Sequence, residues 1–251
     1  MHEYLLAGLW GLVAGSGLLV GALIADLFFG KLSHRVIAAV MGFGGGVLIA
    51  VVAGELLGDA IHRGVGVSAM IGLLAGAGMF SGINWYLAKG GARNRKRCGE
   101  CVEQPKEEEQ RGSGVAIAVG SVLDGVPEAL VIGVTVAGGG KIGLSVIAGF
   151  FLANVPQGLS SASGMKFAGR SRRYIFTIWA GIPLLGGVTA AVGNLLLGSA
   201  TAQGPVILAF AAGAVLSMLA EAMIPEAFEN AQAFIGLITV TGLLTLYLIS
   251  H

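Results

Sequence analysis

The chain carries little charge: only 12% of its 251 residues are Asp, Glu, Lys or Arg, against about 25% in soluble domains. More than half of the residues, 55%, are hydrophobic, and the mean hydropathy is +0.84. The apolar residues form continuous runs and do not alternate with polar ones, which disfavours membrane strands. This composition excludes an ordinary soluble domain and predicts an all-α, polytopic membrane protein.

Histidine and cysteine, which are common zinc ligands, are scarce. No histidine lies within an apolar run, since His34 and His62 fall in short predicted loops and the other two lie at the termini. The two cysteines, Cys98 and Cys101, lie in the longest polar loop. A closed zinc site needs four ligands, so we interpret this pair as reduced thiols and not as a metal site.

Two partner classes are not indicated by the sequence. A phosphate-binding loop of the type Gly-x4-Gly-Lys-Ser/Thr is absent, so we expect that the chain itself does not use ATP. The net charge is only +1, and the charges are concentrated in loops, which gives no indication of nucleic-acid binding. We expect membrane lipid to surround the chain.

Eight apolar stretches are long enough to cross a bilayer, which takes about 20 helical residues. They predict a single transmembrane domain over residues 1–251, with a flexible cytoplasmic loop at residues 89–113 between helices 3 and 4. The predicted spans are Tyr4–Phe28, Arg35–Gly58, Val65–Ala88, Gly114–Ala137, Ile142–Met165, Tyr174–Leu197, Gly204–Pro225 and Ala231–Ile249.

The basic residues are distributed unevenly between the connections. Of the fifteen Lys and Arg residues, only Arg63 and Lys141 belong to even-numbered connections, and the other thirteen belong to odd-numbered ones. Loops rich in Lys and Arg stay on the cytoplasmic side. We therefore expect a multi-pass protein of the cell membrane, with the odd-numbered connections in the cytoplasm and both termini outside.

Glycine is abundant, with 43 residues, and many glycines stand four apart, as in Gly17 with Gly21 and Gly78 with Gly82. Small residues at this spacing let helix backbones approach closely. Such contacts can form within one chain or between two copies. The glycine pattern is therefore compatible with a homodimer but does not require one.

Two proline-containing segments lie near the middle of the fourth and fifth predicted spans, Asp124 to Glu128 and Asn154 to Gln157. A proline inside a helix frees the carbonyl four residues before it and favours a kink. Residues three or four apart share a helical face. The carboxylates of the fourth span and the side-chain amides of the fifth can therefore converge between the two helices. Charges at this depth are usually functional, and paired breaks in corresponding spans indicate a transporter site. We therefore predict paired Pro-kinked helices 4 and 5 at the centre.

Five further acids are candidates for a cation pathway. Glu55 and Asp59 lie at the outer end of the second span, Asp26 at the inner end of the first, and Glu221 and Glu226 on the inner half of the seventh. Acids near span ends usually snorkel to water, and we expect this of all except Glu221, which lies about one turn deeper. Several moderately attractive sites in series would nevertheless suit cation passage.

These features together resemble the ZIP (Zrt-/Irt-like) family of divalent metal transporters. That family has eight spans, outside termini and a long cytoplasmic loop after the third span. Its fourth span carries His-Asn-x-Pro-Glu-Gly, and its fifth carries a similar segment that ends in Pro-Glu-Gly. The seventh-span run from Ala212 through Glu221 to Glu226 also looks like the family.

The chain departs from the family pattern at several ligand positions. Asp124 stands where the family has a histidine, Gly125 where it has an asparagine, and Gln157 where it has a glutamate. Ala153 replaces a polar ligand, and Ile182 stands where many members have a glutamate. The resemblance therefore implies one mononuclear site in place of a binuclear centre.

The implied metal ligands are Asp124, Glu128 and Gln157, with Asn154 nearby. All of these side chains offer oxygen, which suits Mn, Mg or Ca better than zinc. The resemblance implies zinc, or iron, as the metal, moved into the cytoplasm by alternating access. The metal would be the transported substrate and not a tightly bound cofactor, and the chain would not be an enzyme.

Two alternatives remain at this point. One is a proton-coupled carrier of a small organic solute, in which Asp124 and Glu128 bind protons. The other is an intramembrane protease, because Ser161 and Ser163 precede Gly164 in a faintly nucleophile-like turn. A serine protease needs a histidine or equivalent base beside the serine, and no predicted span contains a histidine.

The topology generates a labelling prediction. In intact cells Cys98 and Cys101 should resist a membrane-impermeant thiol reagent and react only after permeabilisation, because the loop that carries them is strongly basic. A matched control is His2→Cys in a variant in which both native cysteines are alanine; this terminal cysteine should react in intact cells. Labelling of the native pair without permeabilisation would contradict the topology.

Overall fold

A computed structural model describes residues 2–58, 66–89, 113–137, 144–197, 204–230 and 233–250. Within these ranges the regular structure is helical and contains no strand. We number the helices α1 (Glu3–Leu27), α2 (His34–Ala50, continued by Val51–Leu57), α3 (Gly66–Ala88), α4 (Ser113–Ala137), α5 (Leu144–Phe167), α6 (Arg172–Leu197), α7 (Gly204–Met218, continued by Leu219–Met223 and Ile224–Asn230) and α8 (Ile235–Ser250).

Seven of these helices, α1 to α7, are long and apolar enough to cross a membrane. The prediction of an all-α chain with several apolar helices of spanning length is therefore confirmed. Helix α8 has 16 residues, or about 24 Å at 1.5 Å per residue, which is shorter than the hydrocarbon core of about 30 Å. It begins at Ile235 and not at the predicted Ala231, which lies outside the described residues, so the count of eight spans remains a prediction.

Some of the predicted features fall on residues that the structure does not describe. Of the loop at 89–113, only its two end residues are described, so Cys98 and Cys101 lie outside the described ranges. The same is true of Asp59 and His62. His34, which we expected in a loop, is instead the first residue of α2, and the preceding Ser33 accepts a hydrogen bond from the backbone N–H of Val36.

Burial in this helical bundle differs from burial in a soluble protein. Asp124 and Glu128 are each only 3% exposed, whereas Leu74 on α3 is 72% and Leu248 on α8 is 75% exposed. In water, acids are almost never fully buried without partners, and broad exposed apolar surface is rare. These two acids face the interior while many large apolar side chains face outward, as expected for helices surrounded by lipid.

Helix α5 lies at the centre of the bundle and is the most buried apolar helix, with 72% of its central stretch buried. Helix α1 packs along both α5 and α6, and α4 packs mainly on α6 and also on α1 and α7. Helix α2 packs along α8 and α5, and α3 packs along α7. Two groups result, α1 with α4, α5 and α6, and α2 with α3, α7 and α8. They meet mainly where α2 contacts α5 and α4 contacts α7.

Small residues bring α1 and α5 into close contact. A Cβ on Gly21 would collide with the Val155 carbonyl, and a Cβ on Gly158 would collide with the Leu18 carbonyl. Helix backbones can approach this closely only where side chains are absent. By contrast, a Cβ on Gly82 of α3 would meet no described atom within 4 Å apart from the adjoining residues and backbone of its own helix.

Two short π-helical segments interrupt the α-helices, Val51–Leu57 in α2 and Leu219–Met223 in α7. Each contains one of the candidate pathway acids, Glu55 in the first and Glu221 in the second. Such segments are rare and often occur at functional positions, and apolar periodicity did not predict them. Pro127 and Pro156 lie inside the continuous helices α4 and α5, so the predicted kinks remain a prediction.

The contact between α1 and α5 generates a stability prediction. Gly158→Ala should destabilise the folded protein by about 1–3 kcal/mol, because the added methyl group overpacks a contact between two backbones. Gly82→Ala is the matched control and should be neutral or stabilising by up to about 1 kcal/mol, since alanine favours helix and space is available. The measurement is reversible unfolding in mixed detergent. Equal stability of the two variants would contradict the close contact.

Candidate functional site

The four residues of the predicted site lie near the middle of α4 and α5, and all are buried. Asp124 and Glu128 stand one helical turn apart on α4, and each is 3% exposed. Asn154 and Gln157 stand one turn apart on α5, with exposures of 3% and 2%. Spacings of three and four residues place each pair on one helical face, as the sequence predicted.

Asn154 connects three helices through its side-chain amide. Its Nδ2 donates to Glu128 Oε2 at 2.9 Å and to the Ala14 carbonyl of α1 at 3.2 Å. Its Oδ1 accepts from Gln157 Nε2 at 3.4 Å. A hydrogen bond to a carboxylate is stronger than one between neutral groups. Asn154 therefore stabilises the buried Glu128 and holds α1, α4 and α5 together.

Asp124, Asn154 and Gln157 line one pocket between the helices. The pocket is narrow, and its walls lie too close together in this conformation for a water-sized molecule to fit between them. The remaining lining residues are Leu18, Ser121, Gly125, Ser161 and Trp179. Glu128 joins this group through its bond to Asn154.

Sequence reasoning did not place three polar side chains in the pocket, Ser121, Ser161 and Trp179, which are 5%, 1% and 1% exposed; it had named Ser161 only in the protease alternative. The two serines had a usable signal. Ser121 precedes Asp124 by three residues and Ser161 follows Gln157 by four, so each shares the helical face of a site residue. Trp179 had no such signal, because it comes from α6 and reaches the pocket only through tertiary packing.

The pocket offers oxygen donors from carboxylate, amide and hydroxyl groups. Among the described residues no three His, Cys, Asp or Glu side chains come together as a metal-binding group. The prolines at 127 and 156 also remove the usual donors of the Leu123 and Leu152 carbonyls, which leaves backbone oxygen on both helices. An oxygen-rich set of this kind suits hard divalent cations.

Two of the pathway candidates are engaged with neighbouring side chains. Glu55 Oε1 accepts from Ser145 Oγ at 2.8 Å, which links the π-helical end of α2 to the start of α5. Asp26 pairs with Lys166 at 2.6 Å and with Arg172 at 2.9 Å. The carboxylate of Asp26 is thus held by bases of α5 and α6, and it remains partly exposed near the end of α1.

The two acids of α7 have contrasting surroundings. Glu226 is 2% exposed and accepts a hydrogen bond from Ser160 of α5. Our expectation that Glu226 snorkels to water is therefore wrong, because the last segment of α7 packs on α2 and the Glu226 carboxylate is buried against Ser160. Glu221 is exposed on the bundle surface, where Ser81 and Asn84 of α3 donate to its carboxylate, the latter at 2.6 Å.

Comparison with known proteins adds no relative: no protein-family model matches the chain, and no curated protein matches it significantly.

Proposed function

We propose that the chain is a membrane transporter of divalent metal cations, which it moves into the cytoplasm, and that it is not an enzyme. The observation that carries the proposal is the burial of Asp124 and Glu128 beside Asn154 and Gln157 near the middle of two apolar helices. Ionisable groups at membrane depth are costly and usually mark an ion or substrate pathway. The resemblance to the ZIP family supports the same conclusion.

The pocket chemistry favours a small, hard cation. Carboxylate and amide oxygens bind divalent ions without the imidazole or thiolate that zinc prefers. We therefore propose manganese or a similar ion as a substrate at least as good as the zinc or iron that the family resemblance implies.

Contacts on either side of the site support alternating access. On one side, Ser145 of α5 bonds to Glu55 of α2; on the other, Ser160 of α5 bonds to Glu226 of α7. The two serines are 15 positions apart, or about 22 Å along the helix, and Asn154 lies between them. Both bonds join the group that contains α5 to the group that contains α2 and α7. Sliding of one group past the other would open one side while the other stays closed.

Removal of either carboxylate should strongly reduce transport. In proteoliposomes, Asp124→Asn and Glu128→Gln should each reduce uptake of divalent cations by roughly ten- to hundredfold, because each loses a charged contact worth about 1.5–3 kcal/mol. The amides keep the size of the side chain, so the bundle should still fold. Uptake of Mn, Zn, Fe, Co, Cd and Mg is compared at equal protein per liposome.

The matched control for these variants is Glu3→Gln, which changes an exposed acid at the start of α1 and should leave uptake unchanged. Wild-type uptake in both site variants would contradict the site assignment. Absence of uptake of every divalent cation by the unmodified protein would contradict the proposed function itself.

The identity of residue 124 should control selectivity. Asp124→His supplies a nitrogen ligand, which zinc prefers more strongly than manganese does, and removes a negative charge, which weakens binding of both ions. We therefore expect the zinc-to-manganese uptake ratio to rise while absolute uptake falls. Uptake should also become more pH-dependent, because imidazole binds metal only when neutral. A ratio that is unchanged or lower in paired competition would mean that residue 124 does not contact the ion.

A further inference from the structure

The connection between α1 and α2 meets the connection between α5 and α6 at one end of the bundle. The ring of Phe167, the last residue of α5, has its centre 5.0 Å from that of the Phe29 ring and 5.6 Å from that of the His34 ring. We call this meeting point the basic corner. It consists of residues 26–35 and 166–174, which all belong to the described part of the chain.

Positive charge dominates the basic corner, which contains six Lys and Arg residues but only one acid, Asp26. The Asp26 carboxylate already holds Lys166 at 2.6 Å and Arg172 at 2.9 Å. It therefore cannot neutralise the other bases as well. Three of these are exposed and form no ion pair with a described residue: Lys31, Arg35 and Arg173.

Two of the exposed bases stand where a cation is unfavourable. Arg35 lies in the first turn of α2 and Arg173 in the first turn of α6. The start of a helix carries partial positive charge, which repels cations and attracts anions. An anion at the basic corner would therefore interact favourably with the guanidinium groups and would offset their repulsion by the helix ends.

Exposed aromatic side chains accompany these bases. Phe29 is 40% and Phe167 is 49% exposed, and Lys166 Nζ lies 4.5 Å from the centre of the Phe29 ring. Apolar surface beside bases is typical of the boundary between hydrocarbon and headgroups, where the stem of a basic side chain covers apolar groups and its charge reaches outward. A soluble anion would satisfy the charges but leave the rings uncovered, whereas a lipid would satisfy both.

We propose that the basic corner binds the headgroup phosphate of an anionic phospholipid, with the acyl chains of that lipid against Phe29 and Phe167. Arg35 and Arg173 donate to the phosphate oxygens, with which guanidinium groups form strong, often paired hydrogen bonds. Basic pockets between membrane helices bind anionic headgroups in other proteins. The predicted topology puts the basic corner on the cytoplasmic side, where anionic lipids attract basic segments. The inference goes beyond the proposed transport and does not depend on it.

Native mass spectrometry of the purified, delipidated full chain counts bound lipids directly. The protein in neutral detergent is titrated with phosphatidylglycerol or with phosphatidylcholine of the same acyl chains. Phosphatidylglycerol should bind more tightly by roughly tenfold or more, since each base contributes about a fivefold factor for an anionic headgroup. Arg35→Gln and Arg173→Gln should each weaken phosphatidylglycerol by about fivefold and leave phosphatidylcholine unchanged.

The matched control is Lys89→Gln. Lys89 is an exposed base beyond the end of α3, on the same predicted side of the membrane, and its Nζ lies 3.7 Å from the centre of the Trp85 ring. It lies outside the basic corner, so its loss should leave both lipid affinities unchanged. Should either arginine variant not fold, Lys31→Gln removes another exposed base of the corner and provides the same test.

Loss of affinity for phosphatidylglycerol in the corner variants alone supports the proposal. An equal loss in Lys89→Gln would show diffuse attraction to the whole basic side, which overturns it. Equal binding of the two lipids by the unmodified protein would also overturn it. Inorganic phosphate and a hexaglutamate peptide are added as competitors, and displacement of phosphatidylglycerol by either at equal concentration would mean that the corner takes soluble anions and not a lipid.

Discussion

The structure depends on how Glu128 is accommodated inside an apolar bundle. A carboxylate away from water is costly unless hydrogen bonds replace its hydration. Asn154 donates one such bond at 2.9 Å, and it is itself held by the Ala14 carbonyl of α1. That second bond requires α1 and α5 to lie very close, which Gly21 and Gly158 permit. The small residues of the bundle and the acid at its centre are therefore parts of one arrangement.

Helix α5 connects this centre to both ends of the protein. Its polar side chains bond to α2 through Ser145, to α1 and α4 through Asn154, and to α7 through Ser160. A helix with so many polar positions cannot face lipid, because hydrocarbon offers these groups no partners. The burial of α5 follows from this composition. Any movement of α5 relative to α2 and α7 must exchange these bonds, which links the fold to the proposed transport cycle.

The candidate site was largely predictable because its main residues follow local rules. Asp124 with Glu128 and Asn154 with Gln157 are spaced for one helical face, and this geometry holds for any regular helix. Ser121 and Ser161 obey the same rule and could have been found in the same way. Glu226 shows where local reasoning fails. Its position near the predicted end of a span suggested contact with water, but the end of α7 packs on α2, and Glu226 is buried against Ser160 of α5.

By itself, the sequence determined the helical class, the approximate bounds of the long helices and the faces on which the site residues lie, because hydrophobic run length and helical period are local properties. The tertiary structure decided which faces meet. It placed Trp179 of α6 in the pocket, put the π-helical turns at Glu55 and Glu221, and paired Asp26 with Lys166 and Arg172. These features depend on contacts between residues far apart in the chain, and no local periodicity encodes which helix will be the neighbour.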